Sequence, residues 1–147
     1  MTGTYWDTSL LLKLYAVETG SEAARQCAGK EHRLVISELA QAEIASAFHR
    51  KMREGEWTSQ EVRESLEQFD WDVANGFLVL LPITSAIWRR VRTVYEQAPG
   101  NFYLRAPDAI HLATAAEEEF PAIYSNDRHL LAAAPYFNVI PINPIVV

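Results

Sequence analysis

Short apolar runs alternate along this chain with longer segments of helical periodicity, and that alternation limits the available folds more than any other feature. The runs at 4–7, 34–36, 77–81, 122–125 and 138–140 are apolar on both faces. Strands of that kind belong in a parallel sheet covered on each side by helices. Between them, helices are predicted over 9–17, 21–29, 38–53, 58–74, 84–97, 107–118 and 127–134. Local signals support several of these boundaries. Ser37 and Thr84 suit N-cap positions, Thr58-Ser59-Gln60-Glu61 is a capping-box pattern, Gly76 suits the residue after a helix end, and Pro107 suits a first turn. The expected architecture is α/β, a three-layer α/β/α sandwich around a central parallel sheet of about five strands, with residues 1–147 forming one domain.

Composition removes several classes. With 147 residues, 49% hydrophobic and 22% charged, the chain can bury a proper core and is not disordered as a whole. A net charge of −6 argues against a protein that coats polyanions by bulk attraction. The only cysteine, Cys27, cannot form an intrachain disulfide, so a reducing cytoplasm is the natural compartment. The first residues lack the basic and apolar regions of a signal peptide, and no apolar run approaches the ~20 residues of a membrane span, so no membrane association is expected.

In an open parallel sheet, ligands bind outside the carboxyl ends of the strands. Four acids draw attention there or on faces poor in charge. Asp7 ends the first strand and is followed by Thr8 and Ser9; Asp127 repeats the arrangement in Ser125-Asn126-Asp127-Arg128. Either could simply cap the next helix. Glu43 has Leu39, Ala40, Ser46 and Ala47 as its helical neighbours, none of them charged. Asp108 opens a nearly apolar helix in which Asp108, His111 and Thr114 form one narrow polar stripe; for His111 a hydrogen-bonded core role is the simpler reading. Clustered buried carboxylates repel one another and resist ionisation, and a hard divalent cation relieves that. Oxygen ligands suit Mg²⁺ or Mn²⁺, whereas the zinc motifs and the glycine-rich phosphate loops are missing from the sequence.

Four stretches in order carry a family resemblance: Tyr5-Trp-Asp7-Thr-Ser-Leu-Leu-Leu-Lys-Leu-Tyr15, Ser37-Glu-Leu-Ala-Gln-Ala-Glu43-Ile-Ala-Ser-Ala47, Asp108-Ala-Ile-His-Leu-Ala-Thr-Ala115 and Ser125-Asn-Asp127-Arg-His-Leu130. With them the sequence resembles the PIN domains, and among these the VapC-type toxin ribonucleases of toxin–antitoxin pairs. The resemblance implies a Mg²⁺- or Mn²⁺-dependent endoribonuclease whose acids match Asp7, Glu43, Asp108 and Asp127, with Thr8, Ser9, Ser125 and Asn126 as supporting polar residues. It also implies an RNA substrate, a homodimer and a small antitoxin partner. Trp6 is bulkier than the residue usual beside the first acid, and Asn126 stands where some relatives carry a further acid, which leaves one or two metals open.

Arg105 and Arg128 are the candidate RNA contacts, Arg128 directly following a candidate ligand; the clusters at 50–53 and 89–92 read as favourable helix-end charge and a solvated face. An antitoxin helix could dock against the apolar residues at 10–15 and at Val62, Leu66, Phe69, Trp71 and Val73, unless these fill the core or a dimer interface. Two other readings compete. One is a non-catalytic PIN-like interaction module. The other is an Asp-nucleophile phosphatase, weakened because Ser9 stands where that chemistry wants a second acid.

Overall fold

The structure is a computed structural model and describes residues 2–145. Five parallel strands form one sheet: β1 (Thr4–Trp6), β2 (Leu34–Ser37), β3 (Leu78–Leu81), β4 (Ala122–Tyr124) and β5 (Ile140–Ile142), in the order β3-β2-β1-β4-β5. Among the described residues seven α-helices accompany them: α1 (Thr8–Leu12), α2 (Ser21–Ala28), α3 (Ala40–Arg53), α4 (Ser59–Ala74), α5 (Ser85–Gln97), α6 (Ala106–Glu117) and α7 (Arg128–Ala133). This is the expected α/β/α sandwich.

Side-chain alternation divides the core. Tyr5, Val35 and Ile123 point to one face and pack with Ile87, Leu112 and Leu130 of α5, α6 and α7. Trp6, Leu34 and Ile36 point to the other and pack with Leu10, Ala24, Ile44 and Phe69 of α1 to α4. Both faces are covered, which is why the strands read as unbroken apolar runs. The chain builds outward from β1 to β2 and β3, then returns to place β4 on the other side of β1. Strand order reverses at β1, which is flanked by β2 and β4, and open sheets of this kind bind ligands beyond the carboxyl ends of strands at such a reversal.

Several boundaries differ from the sequence reading, each for a local reason. α1 ends at Leu12, not 17, because successive i→i+3 bonds from Lys13, Leu14 and Tyr15 tighten the chain. Ser37 does not cap α3, which begins at Ala40 after Leu39; its hydroxyl accepts from the Leu39 N–H, while Glu38 is drawn away to accept from the Ile83 N–H at 2.9 Å. The last strand begins at Ile140, because Pro135 sits in a 3-10 turn and Asn138 adopts φ 59° before the chain can extend. Pro141 is tolerated there because β5 lies at the sheet edge. The apolar residues at 10–15 and on α4 pack into or against the core, leaving Trp71, 60% exposed, as the open one.

The capping box at Thr58 is complete: its hydroxyl accepts from the Glu61 N–H at 3.1 Å and the Glu61 carboxylate accepts from the Thr58 N–H at 3.0 Å. Thr58→Ala removes the first of these bonds on an exposed helix end far in sequence from the acids. It should lower unfolding free energy in urea by about 1 kcal/mol. An unchanged midpoint would show that α4 does not depend on its cap.

Candidate active site

Asp7 leaves β1 at the strand-order reversal. Its N–H bonds to Tyr124 O of β4 at 3.0 Å, and its side chain is 2% exposed. Oδ1 accepts from the Leu10 N–H at 3.0 Å and so caps α1. Oδ2 accepts from the hydroxyls of Ser9 at 2.7 Å and Ser125 at 2.8 Å. Burial pushes the Asp7 carboxyl up from its ordinary value; His111 and the hydrogen bonds from Ser9, Leu10 and Ser125 pull it down without cancelling the rise.

Asp108 lies in the first turn of α6, whose residues from 108 to 115 are all buried. It is 6% exposed, and burial raises its pKa. Arg105 opposes that rise and the charge of Asp127 adds to it. Asp127 caps α7, its Oδ1 accepting from the N–H groups of His129 at 2.9 Å and Leu130 at 3.0 Å. Ser125 links two of the acids, donating to Asp7 and accepting from the Asp127 N–H at 2.9 Å.

Arg105 bridges Asp108 and Asp127. Its Nε lies 3.2 Å from Asp108 Oδ2 and its Nη2 lies 3.8 Å from Asp127 Oδ2. The arginine side chain itself is 62% exposed. Its guanidinium supplies the positive charge these carboxylates face.

Glu43 enters from the other helical layer. Its Oε1 accepts from Thr8 Oγ1 at 2.7 Å and lies 2.7 Å from His111 Nε2. Burial pushes its carboxyl up, but hydrogen bonds from His111 and Thr8 and the charge of Arg105 outweigh that and hold it below its ordinary value. Asp7, Glu43 and Asp108 line one cavity of about 770 Å³, together with Arg105 and His111; Arg50 and Lys51 of α3 also line it. Asp127 adjoins this cavity through Ser125 and Arg105.

Not every expected neighbour is drawn in. Asn126 turns toward Asn143, bonding its Oδ1 at 3.3 Å, and Arg128 is exposed and outside the cavity lining. Thr114 bonds back to Ile110 O at 2.6 Å within its own helix. Tyr5 was not singled out from the sequence, yet its hydroxyl accepts from the Ser37 N–H at 2.9 Å and lies 2.8 Å from His111 Nδ1. The period of a strand gave a signal: residues 5 and 7 share a face, and a buried tyrosine hydroxyl needs a partner.

The donor set is chemically suited to a hard divalent cation. It consists of carboxylate oxygens, two of the side chains being almost fully buried and driven toward neutrality by that burial. Among the described residues no three His, Cys, Asp or Glu side chains already converge as a ready-made metal cluster.

Fold and site together define an α/β/α protein with acidic residues gathered at the carboxyl edge of its sheet. A family model described as the PIN domain matches residues 4–135, and the chain belongs to that family. Among solved structures it is similar to a toxin–antitoxin complex from Klebsiella pneumoniae, at 18% identity and a TM-score of 0.65, covering 99% of this chain and 100% of that one. No curated protein matches by sequence.

The raised pKa of Asp108 sets a sign for its effect on stability. A carboxyl raised by folding contributes stability that is full below its unfolded pKa, near ~3.9, and lost as pH climbs through the folded value. Asp108→Asn escapes that loss. In metal-free buffer the variant should gain stability over wild type as pH rises from about 4 to 7, read as melting temperature across the series. A difference that is flat or reversed across the range would contradict this environment for Asp108.

Proposed function

We propose that this protein is a Mg²⁺- or Mn²⁺-dependent endoribonuclease of the VapC type, acting as the toxin of a toxin–antitoxin pair. The observation that carries the reading is the gathering of Asp7, Glu43 and Asp108 around one cavity at the strand-order reversal of a PIN domain, with Asp127 joined to Asp7 through Ser125. Asp7 and Asp108 would hold the cation, with Asp127 beside them and Glu43 either joining them or orienting the attacking water. When bound, a divalent cation neutralises charge at the scissile phosphate and acidifies a water.

The chain's own residues do the rest. Ser9 and Ser125 fix the orientation of Asp7 Oδ2, and the α1 cap fixes its other oxygen. Thr8 and His111 hold Glu43. Arg105, exposed and paired with Asp108 and Asp127, would meet an RNA phosphate, with Arg128, also exposed, the next residue after Asp127.

Partner and setting follow the same reading: the whole chain acts as one domain, as a homodimer in the cytoplasm, restrained by a small antitoxin. The similar structure is a toxin–antitoxin complex, which supports the partner. No helix among the described residues is long and apolar enough to cross a membrane. The Arg105 ion pairs also suit a non-catalytic interaction module, in which the guanidinium simply neutralises the acids.

Cleavage separates the two readings. Purified wild type with Mg²⁺ or Mn²⁺ should cut RNA to 3′-hydroxyl and 5′-phosphate ends, and chelation should stop it. Sequenced RNA ends after brief expression should show sites that Asp7→Asn loses by at least about 100-fold. RNA intact under all these conditions would favour the interaction module.

Metal binding has its own readout. A ligand bound only by the folded state adds about 2.7 kcal/mol at 100 times its Kd, so Mn²⁺ should raise the melting temperature. Asp108→Asn should blunt the rise. Equal shifts in wild type and variant would place the ion elsewhere.

A further inference from the structure

Glu43 is held by a chain of hydrogen bonds that crosses between the two helical layers. It stands in the first turn of α3 and lines the cavity, with small neighbours Ser46 and Ala47 on the same helical side. A glutamate has several freely rotating bonds, and those neighbours offer little to pack its stem. Its orientation therefore depends on what its carboxylate meets. Oε1 meets Thr8 Oγ1 and His111 Nε2, each at 2.7 Å, whereas Oε2 has no hydrogen-bond partner among the described residues.

The imidazole is itself oriented from behind. His111 is 1% exposed, on buried α6. Its Nδ1 lies 2.8 Å from the Tyr5 hydroxyl, whose oxygen accepts from the Ser37 N–H at 2.9 Å. A carboxylate oxygen facing a ring nitrogen can only accept, so the hydrogen belongs on Nε2. Nδ1 meets the Tyr5 hydroxyl at 2.8 Å, and Thr8 Oγ1 stands 3.1 Å from Nε2 beside the carboxylate. The opposite tautomer would set two lone pairs against each other at 2.7 Å.

We propose that His111 is a positioning residue for Glu43: its Nε2–H, oriented through Tyr5 and Ser37, pins Oε1 and leaves Oε2 as the free oxygen of the site. The contacts run from the Ser37 N–H to the Tyr5 hydroxyl, between that hydroxyl and His111 Nδ1, and from His111 Nε2–H to Glu43. They place Glu43 of one layer in register with Asp108 of the other, since His111 lies one turn beyond Asp108 on α6. The inference rests on the proposed nuclease reading for its effect on cleavage. The pinning of Oε1 is a structural statement with a readout of its own.

The experiment combines nitrogen-detected NMR of the histidine rings with cleavage kinetics at saturating Mn²⁺. Wild type should show His111 with hydrogen on Nε2, and Glu43→Ala should move or remove the Nε2–H signal. Tyr5→Phe should shift Nδ1. His111→Leu should lower kcat by about 10–100-fold with little change in KM. His111→Gln, whose side-chain amide can present an N–H near the place of Nε2, should recover most of that loss.

A hydrogen on Nδ1 alone, an Nε2 signal indifferent to Glu43→Ala, or a folded His111→Leu with wild-type kcat would each overturn the proposal. So would His111→Gln no better than His111→Leu. Should His111→Leu not fold, the wild-type and Glu43→Ala spectra decide. An inactive wild type would instead overturn the nuclease reading, and the same spectra would still decide whether His111 holds Glu43.

Discussion

Asp7 is carried almost completely out of water at the end of the central strand, and the arrangement of the site follows from how its charge is accommodated there. Three donors surround it: a backbone N–H of α1 and the hydroxyls of Ser9 and Ser125. They do not offset the cost of burial, and the carboxyl remains raised. Asp108 is in the same condition a short way off, raised by burial and by Asp127. The sheet order makes this unavoidable. β4 returns to the flank of β1, so the acid that follows β4, Asp127, is brought beside Asp7 and joined to it through Ser125. Arg105 neutralises part of that charge from an exposed position, where its ion pairs are weakened by solvent and open to exchange with another cation.

Asp7 and Asp127 each divide their two oxygens between a helix end and other partners. Asp7 gives Oδ1 to the end of α1 and turns Oδ2 to Ser9 and Ser125. Asp127 gives Oδ1 to two N–H groups of α7 and turns Oδ2 toward Arg105. A cap bond removes side-chain freedom, so the second oxygen is held in a fixed place. Glu43 reaches comparable order by another route, through side chains from α1 and α6 in place of a helix end.

Much of this was legible in the sequence because it is local. A strand end, an acid and a helix start appear within a few residues at Asp7 and at Asp127, and the capping box at Thr58 and the turn at Gly76 are equally short-range. The family resemblance ordered the four acidic stretches, and the family match over residues 4–135 agrees with it. What was not legible depends on distant partners. Glu38 was read as helix, but it is taken by Ile83, 45 residues on. His111 read as a core histidine; its partners Tyr5 and Glu43 lie 106 and 68 residues away, and no periodicity reports such a meeting. Arg105 lies three residues before Asp108 in sequence, but its second partner, Asp127, is brought in by the return of β4.

On the proposed function, the cavity lined by Asp7, Glu43 and Asp108 is a cation site that Arg105 borders. An anomalous difference map from crystals grown with Mn²⁺ tests it most directly. The account predicts a peak against the carboxylates of Asp7 and Asp108, with the Arg105 guanidinium withdrawn from between Asp108 and Asp127. A cavity without a peak at saturating Mn²⁺, with Arg105 still bridging those two acids, would contradict it.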